Sequence, residues 1–468
     1  MTLHPFLLPH EWLAKAKDFN DFTQMMQSAK DNVDIWSHIT TLAPGLHSPP
    51  TDFIPLGLHC DGVPFGSQVF YSDSLELFSL NFPCLHSGMR IPFTSVQRTH
   101  LVKHETYNAI FEVLSWSLKH LAFGTFPSRR HNDDPFGKRE QFRSRLSSTT
   151  QPAKALLVEI RADWVALKQL FQFPQQNENA GICWMCSATP KDIRDCSLSA
   201  NWRTSRKTAM SFHKQLLLDG KTCPLWSVPG VSSHIVIVDW LHCVDIGVAA
   251  DVLGNVLLEL VDQYPGSDRH VRMRNLWKDI SDEYARQAVP CDNRFPGLRL
   301  KSFCLTSKSP KLKGKAAHIR YFVPVLDCIV QDKFPQDNIH NRTVVKCMHN
   351  LAECYSCLQD FNADKFEISA RRLGSLYCAL EQEQLAAGIQ KRWKVKPKLH
   401  LFLELSMYLC LQRQRGNPRH FWTYADETHG GLMKTIAASR GGKNSSLASA
   451  YRLLTMWSAK TDLVSMIG

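Results

Sequence analysis

Two apolar stretches, PLGLHCDG at residues 55–62 and AKALLVEIRAD at residues 153–163, decide how this chain is expected to fold. Each run is short and rich in aliphatic residues, which is typical of a buried β-strand. Each also stops at an acid, Asp61 in the first and Asp163 in the second. The sequence therefore predicts two buried strands that both end in a carboxylate.

The segments around these stretches predict an α/β pattern. Two further strands are expected at residues 68–71 and 75–81, followed by one amphipathic helix at residues 99–124. Residues 125–153 are rich in Pro, Ser, Arg and Lys and predict an exposed loop. The expected order is thus strand, strand, strand, helix, strand.

The remainder of the chain is predicted to be mainly helical. Residues 175–410 include an amphipathic stretch at 245–264, and a last helix at 422–439 carries Glu427. No internal repeat is evident.

Composition excludes several classes of protein. The 468 residues are 44% hydrophobic and 21% charged, as in ordinary globular proteins. No run approaches the roughly 20 apolar residues of a membrane-spanning helix, and we expect no membrane and no secretory leader. Fifteen cysteines, an odd number, favour reduced thiols and an intracellular protein. The net charge of +12 favours an anionic partner, most commonly nucleic acid, with solubility alone as the alternative.

Three acids suit a hard divalent cation. Asp61 and Asp163 end strands, and Glu427 lies on a late helix. Mg²⁺ prefers carboxylate oxygens, and two such ions held close together can activate a nucleophile and stabilise the leaving oxygen. Among 43 acids, however, a lone Asp-Gly pair is more often a turn.

A C-x-x-C pair, Cys183 and Cys186, offers two thiolates for zinc. Zinc and two ordinary buried cysteines are equally good interpretations, because the pair supplies only half of a tetrahedral site. The candidates for completing it are His400, with Glu404 or Cys410 beyond it, His420 and His429. A D-x-x-H pair, Asp239 and His242, is better explained by a capping aspartate and a core histidine.

The order of these motifs resembles that of eukaryotic cut-and-paste DDE transposases, of the CACTA and Kyakuja-Dileera-Zisupton groups. The matching features, between about residues 54 and 445, are DG after a strand, RADW with LKQLF behind it, CxxC, DxxH, KPKLHLFLEL and NPRHFWTYADETH. No single motif is specific, and the helical middle matches only in patches.

The resemblance implies a mixed-sheet RNase H-like core interrupted by a large, mainly α-helical insertion. The expected segments are an N-terminal helical connector at residues 1–53 and the first part of the core at 54–174. The insertion with its CxxC follows at 175–410, and the last core helix with a tail at 411–468.

The resemblance also implies site residues. Asp61, Asp163 and Glu427 would bind Mg²⁺ or Mn²⁺, Cys183 and Cys186 would form half of a zinc site with His400 as a candidate ligand, and Asp239 with His242 would match a family signature. Asp239, which follows the apolar run HIVIV, is the alternative to Asp163 as the second catalytic acid.

The implied function is two-metal cleavage and strand transfer of DNA. The expected partners are transposon terminal repeats and target DNA, in the nucleus, with a homo-oligomer as the active form. Two rivals stay open, a non-catalytic DNA-binding derivative and an unrelated helical protein with a basic surface.

Two basic stretches, at residues 301–320 and 391–419, are the expected DNA contacts because cationic side chains neutralise phosphates. Trp393 is more readily explained as a buried anchor than as a base-stacking platform. The predicted DNA-binding residues are Lys311, Lys313, Lys315, Arg320, Lys394, Lys396, Lys398 and Arg419.

Overall fold

A computed structural model describes residues 4–16, 53–65, 73–83, 89–174, 181–304, 309–412, 415–438, 448 and 450–455. The strands are β1 Phe53–Phe65, β2 Asp73–Asn81, β3 Arg90–Gln97 and β4 Lys154–Arg161. The α-helices are α1 Pro9–Ala16, α2 Lys103–Phe123, α3 Gln141–Leu146, α4 Trp164–Phe171, α5 Asn201–Thr204, α6 Ala209–Leu218, α7 Ala250–Gln263, α8 Arg269–Arg286, α9 Ala316–Lys333, α10 Ile339–Ser356, α11 Ala363–Ala386, α12 Lys398–Glu404 and α13 Tyr424–Ala438. Two π-helical segments, Leu241–Ala249 and Leu405–Gln412, adjoin α7 and α12.

The four described strands form one mixed sheet in the order β3-β2-β1-β4. β2 is antiparallel to both β1 and β3, whereas β4 runs parallel to β1. Parallel neighbours need a crossover, and α2 lies in the connection between β3 and β4. The predicted α/β class is therefore confirmed at this level.

One strand was not predicted. β3, RIPFTSVQ, is buried along its whole length and shows no alternation of polar and apolar residues. Two of its buried polar side chains have partners on other segments: the Thr94 hydroxyl donates to the Pro5 carbonyl at 2.8 Å, and Arg90 pairs with Asp426. The strand predicted at residues 68–71 lies outside the described residues.

Helices cover both faces of the sheet. Phe78 of β2, which lies opposite Cys60 of β1, packs edge-to-face on Phe111 of α2 with ring centroids 5.8 Å apart. α13 packs on the other face of β1, since side chains alternate along a strand. There, a Cβ added at Gly430 would lie 3.4 Å from a Val63 methyl carbon, so a residue without a side chain allows close approach.

The described residues cluster into two compact units. The sheet unit lies within residues 1–175, 207–237 and 423–468, and the helical unit within residues 176–206 and 238–422. Residues 207–237, which were predicted to belong to the insertion, thus group with the sheet, and the C-terminal boundary lies at residues 422/423 rather than 410/411. The predicted exposed loop at residues 125–153 also contains the short helix α3.

In the helical unit, α7 is a buried element packed against α8, α9 and α10. Eleven of its 14 residues are buried, as a helix surrounded by others requires. Gly254 is needed there because a Cβ would lie 2.5 Å from the backbone nitrogen of Lys311. None of the helices that the structure describes has the length and apolar character needed to span a membrane.

Candidate functional site

Asp61 and Asp163 lie towards the same end of two neighbouring strands. Asp61 was predicted to end its strand, but β1 continues to Phe65 and Asp61 pairs with Leu77 of β2, whereas Asp163 comes two residues after β4. The parallel register places His59 of β1 opposite Arg161 of β4. In both segments the aspartate comes two residues later, as Asp61 and as Asp163. Both acids are half-buried. The register of two strands therefore brings together the two acids that the sequence places about 100 residues apart.

Each aspartate also contacts nearby backbone. One carboxylate oxygen of Asp61 accepts a hydrogen bond from the Gly62 amide at 2.8 Å. Asp163 caps α4, because its Oδ1 accepts from the Ala166 amide at 2.6 Å. Capping gives Asp163 a structural reason to be aspartate and engages only one of its two oxygens.

Glu76 is a third acid in this neighbourhood, and the sequence analysis missed it. It lies on β2 opposite Gly62, and its carboxylate oxygen would be 3.5 Å from a Cβ at that glycine. Burial raises the pKa of Glu76; Arg98 opposes that shift and the Asp163 carboxylate adds to it. The sequence signal was an acid inside the strand DSLELFSLN, between Leu75 and Leu77, which are both buried.

On α13, the buried acid is Asp426 rather than the predicted Glu427. Asp426 forms ion pairs with Arg90 of β3 and with Arg161 of β4, the latter at 3.1 Å. Burial opposes its ionisation, but Arg161, His59 and Arg90 together lower the pKa of Asp426. Asp426 thus fixes the first turn of α13 to the sheet, and the adjacent Glu427 is exposed.

In the helical unit, Cys183, Cys186, His400 and Glu404 converge, with ligand atoms that all lie within 4.8 Å of one another. All four residues are buried. His400 and Glu404 are four residues apart on α12 and so share one face. We call these residues the thiol cluster. It contains the predicted His400, and its fourth member is Glu404 rather than Cys410, His420 or His429.

The distances in the thiol cluster fit a tetrahedral ion. Zinc–ligand bonds of 2.0–2.3 Å imply distances of roughly 3.3–3.8 Å between neighbouring ligand atoms. Here Cys186 Sγ lies 3.4 Å from His400 Nε2, Cys183 Sγ lies 3.8 Å from Glu404 Oε1, and His400 Nε2 lies 3.4 Å from Glu404 Oε1. The donor set suits a borderline-soft ion such as Zn²⁺.

The members of the thiol cluster shift one another's ionisation, and the hydrogen bond with Cys183, together with burial, raises the pKa of Cys186. Burial opposes ionisation of Cys183, yet a hydrogen bond from Cys186 lowers its pKa to about 6. Burial likewise opposes charging of His400, while Cys183 and Glu404 raise its pKa to about 9. Arg206 forms an ion pair with Glu404, so two thiolates, one carboxylate and this guanidinium would balance a doubly charged ion.

Asp239 and His242 contact each other. The Asp239 carboxylate accepts from the His242 amide at 2.9 Å and lies 2.8 Å from His242 Nδ1. These are the contacts of a capping aspartate and a partnered histidine at the start of the π-helical segment Leu241–Ala249. Asp239 as a second catalytic acid stays a prediction.

The fold brings lysines from both basic stretches together around Asp251. Lys396 Nζ lies 2.7 Å from the Asp251 carboxylate, and Lys398 Nζ donates to the His242 carbonyl at 2.5 Å. Burial lowers the pKa of Lys311; Asp251 opposes this, and the other two lysines add to it. Three ammonium groups thus share one carboxylate, and we call Lys311, Lys396, Lys398 and Asp251 the lysine cluster.

The other predicted DNA-binding residues lie elsewhere on the helical unit. Arg320 and Arg419 both stack on the Trp422 ring, with guanidinium carbons 4.8 and 5.6 Å from its centroid. Lys313, Lys315 and Lys394 are exposed. Trp393, in contrast, is fully buried and its indole donates to Glu259 at 2.7 Å, so it is an anchor and not a stacking platform.

Comparison with known proteins assigns the chain to no family. It matches no protein-family model and no curated protein. Any function therefore has to be argued from the residues themselves.

Proposed function

We propose that this protein is a DNA transposase that cleaves and joins phosphodiesters with two divalent metal ions. The observation that carries the proposal is the parallel register of β1 and β4, in which Asp61 and Asp163 each come two residues after the paired residues His59 and Arg161. The order of the elements also supports it. Three antiparallel strands, a helix and a fourth strand parallel to the first are the arrangement expected of an RNase H-like core.

The chain's own residues would divide the work. Asp61, Asp163 and Glu427 would hold Mg²⁺ or Mn²⁺, whose chemistry is to activate a water or 3′ hydroxyl and stabilise the leaving oxygen. Asp426 would position Glu427, because its ion pairs with Arg90 and Arg161 fix the first turn of α13. Strand ends and an anchored helix hold carboxylates rigidly, as in-line displacement requires.

The helical unit would be the insertion, with the thiol cluster as its zinc site. Cys183, Cys186, His400 and Glu404 would ligate one Zn²⁺, and their burial favours a structural role. The lysine cluster and the Arg320–Trp422–Arg419 stack would contact DNA phosphates. Acting on chromosomal DNA, the protein would work in the nucleus as a homo-oligomer.

A second candidate is a DNA-binding protein that has lost cleavage. The observation that favours it is the capping of α4 by Asp163, which explains that residue without any metal. In this candidate the basic groups keep their role and the acids are only structural.

Nicking of supercoiled plasmid by the full chain, with Mg²⁺ or Mn²⁺, separates the two candidates. The transposase predicts metal-dependent nicking that Asp61→Asn and Glu427→Gln abolish while DNA binding persists. Glu112→Gln is the matched control, because Glu112 is also an exposed helical glutamate of the sheet unit. Binding without nicking under either ion would support the second candidate, and nicking that survives Asp61→Asn, Asp163→Asn and Glu427→Gln would refute the site.

A further inference from the structure

A basic cleft lies in the helical unit between α8 and the segment at residues 296–302. It encloses about 690 Å³ and adjoins a second hollow of about 440 Å³, with which it shares Trp277, Leu298, Arg299 and Lys301. The two hollows therefore form one trough. The residues that line the larger part are His270, Met273, Arg274, Trp277, Leu298, Arg299, Leu300 and Lys301.

The cleft has an apolar floor and a cationic rim. Met273 and Leu298 are buried, and the Trp277 indole beside them is half-buried. Arg274, Arg299 and Lys301 are exposed. Among the described residues that line the cleft there is no carboxylate. A ligand that fits would have a flat apolar part and negative charge on more than one side.

Among the described residues, the rim cations form no ion pair. On the first turn of α8, Arg269 and Arg272 are paired with Asp262. Within the described part of the chain, no carboxylate lies within ion-pair distance of Arg274, Arg299 or Lys301. Asp268, whose charge interacts with that of Arg274, accepts hydrogen bonds from the His270 and Val271 amides at 2.7 and 3.0 Å. The cleft thus carries a net positive charge.

We propose that the basic cleft binds one unpaired nucleotide of single-stranded DNA. The base would stack on Trp277, and the phosphates on either side would contact Arg274, Arg299 and Lys301. Aromatic side chains bind any base through its face, and cationic residues follow the backbone. A duplex does not fit this chemistry, because its bases are already stacked and cannot reach the floor.

The proposal rests on the proposed function only for the choice of DNA as the nucleic acid. A free nucleotide carries the same chemistry of base and phosphate. It differs in offering phosphate on one side of the base only, whereas a strand offers it on both. A strand should therefore bind more tightly than a mononucleotide.

The test measures fluorescence anisotropy of a labelled 12-nucleotide thymidine strand and a 12-base-pair duplex, without added divalent ions. Trp277→Ala should weaken strand binding about tenfold and duplex binding less than twofold. Trp277→Phe should keep strand binding within about threefold of the wild type, which shows that the fold is intact. Arg299→Ala should reduce the salt dependence of strand binding by about one phosphate contact.

Lys278→Ala is the matched control, since Lys278 is the next residue on α8, is exposed and does not line the cleft. It should leave the effect of Trp277 unchanged. Strand binding that is equal in wild type and Trp277→Ala would overturn the proposal. Displacement of the strand by thymidine monophosphate at equal affinity would also overturn it and assign the cleft to free nucleotides.

The outcome is independent of cleavage. Asp61→Asn lies in the sheet unit and should leave Trp277-dependent strand binding unchanged. If nicking fails under every ion but Trp277 still governs strand binding, the proposed function fails and the cleft assignment stands. If nicking is metal-dependent but Trp277→Ala binds the strand normally, the cleft assignment fails and the proposed function stands.

Discussion

The thiol cluster and the acids of the sheet unit are two candidate metal sites built in different ways. The thiol cluster is closed, since all four residues are buried and their ligand atoms lie within 4.8 Å of one another. Asp61 and Asp163 are half-buried and Glu427 is exposed, so water and substrate can reach them. Soft, buried ligands suit an ion that stabilises the fold, whereas accessible oxygen ligands suit ions that work on a substrate.

Loss of a zinc ligand should give the largest effect. Cys186→Ser should lower the free energy of unfolding by about 5 kcal/mol, because metal binding contributes directly to folding. Bound metal, measured by mass spectrometry, should fall from one zinc per chain to none. Cys291→Ser, at an exposed cysteine of the same unit, should change neither quantity. The thiol cluster would not be a structural zinc site if the wild-type protein purified without metal and unfolded at the same temperature as Cys186→Ser.

Loss of the Asp61 carboxylate should lower the rate of nicking and leave the stability of the fold intact. Asp61→Asn should slow metal-dependent nicking by about 1,000-fold, equivalent to about 4 kcal/mol of transition-state stabilisation. Its unfolding midpoint should stay within about 2 °C of wild type. A variant that unfolds like Cys186→Ser while nicking normally would reverse the roles of the two sites.

Asp426→Asn should weaken the sheet unit by about 3 kcal/mol, because it leaves the buried Arg90 without its carboxylate and Arg161 with that of Glu159. The folded pKa of Asp426 lies below its ordinary value of 3.8, so its stabilisation is complete above that value. It is lost as the pH falls through the folded pKa. In chemical unfolding between pH 7 and pH 2, the free energy of unfolding should therefore fall more steeply with decreasing pH in wild type than in Asp426→Asn. Equal slopes would show that Asp426 does not anchor α13.

Lys398→Ala should give the smallest effect. Removing one ammonium from the lysine cluster should weaken duplex binding about threefold at low salt and lower the salt slope by about one. Lys346→Ala, at an exposed lysine of the same unit, is the control. If the salt slope of duplex binding is the same in both variants, the lysine cluster does not contact DNA.

Some of this could be predicted from local sequence. The strands at 55–62, 75–81 and 153–163 and the helix at 99–124 have apolar runs or spacings that indicate their type, and the structure contains β1, β2, β4 and α2 there. β3 could not be predicted in this way, because its polar residues are buried only through partners such as Pro5 and Asp426. A local sequence pattern therefore predicts an element whose own apolar residues account for its burial. It fails for an element whose polar residues are buried against partners from distant parts of the chain.

The sequence by itself determined the α/β class, the thiol pair and the presence of one acid in β1 and another just after β4, since each follows from residues close together in the chain. The tertiary structure alone decided that Glu404 joins His400 beside the thiols, that Asp426 is the buried acid of α13, and that Lys311 meets Lys396 and Lys398. These choices depend on which distant side chains share a low-dielectric space. A buried charge is stable only where an opposite charge or a ligand is placed beside it, and chain order does not record that placement.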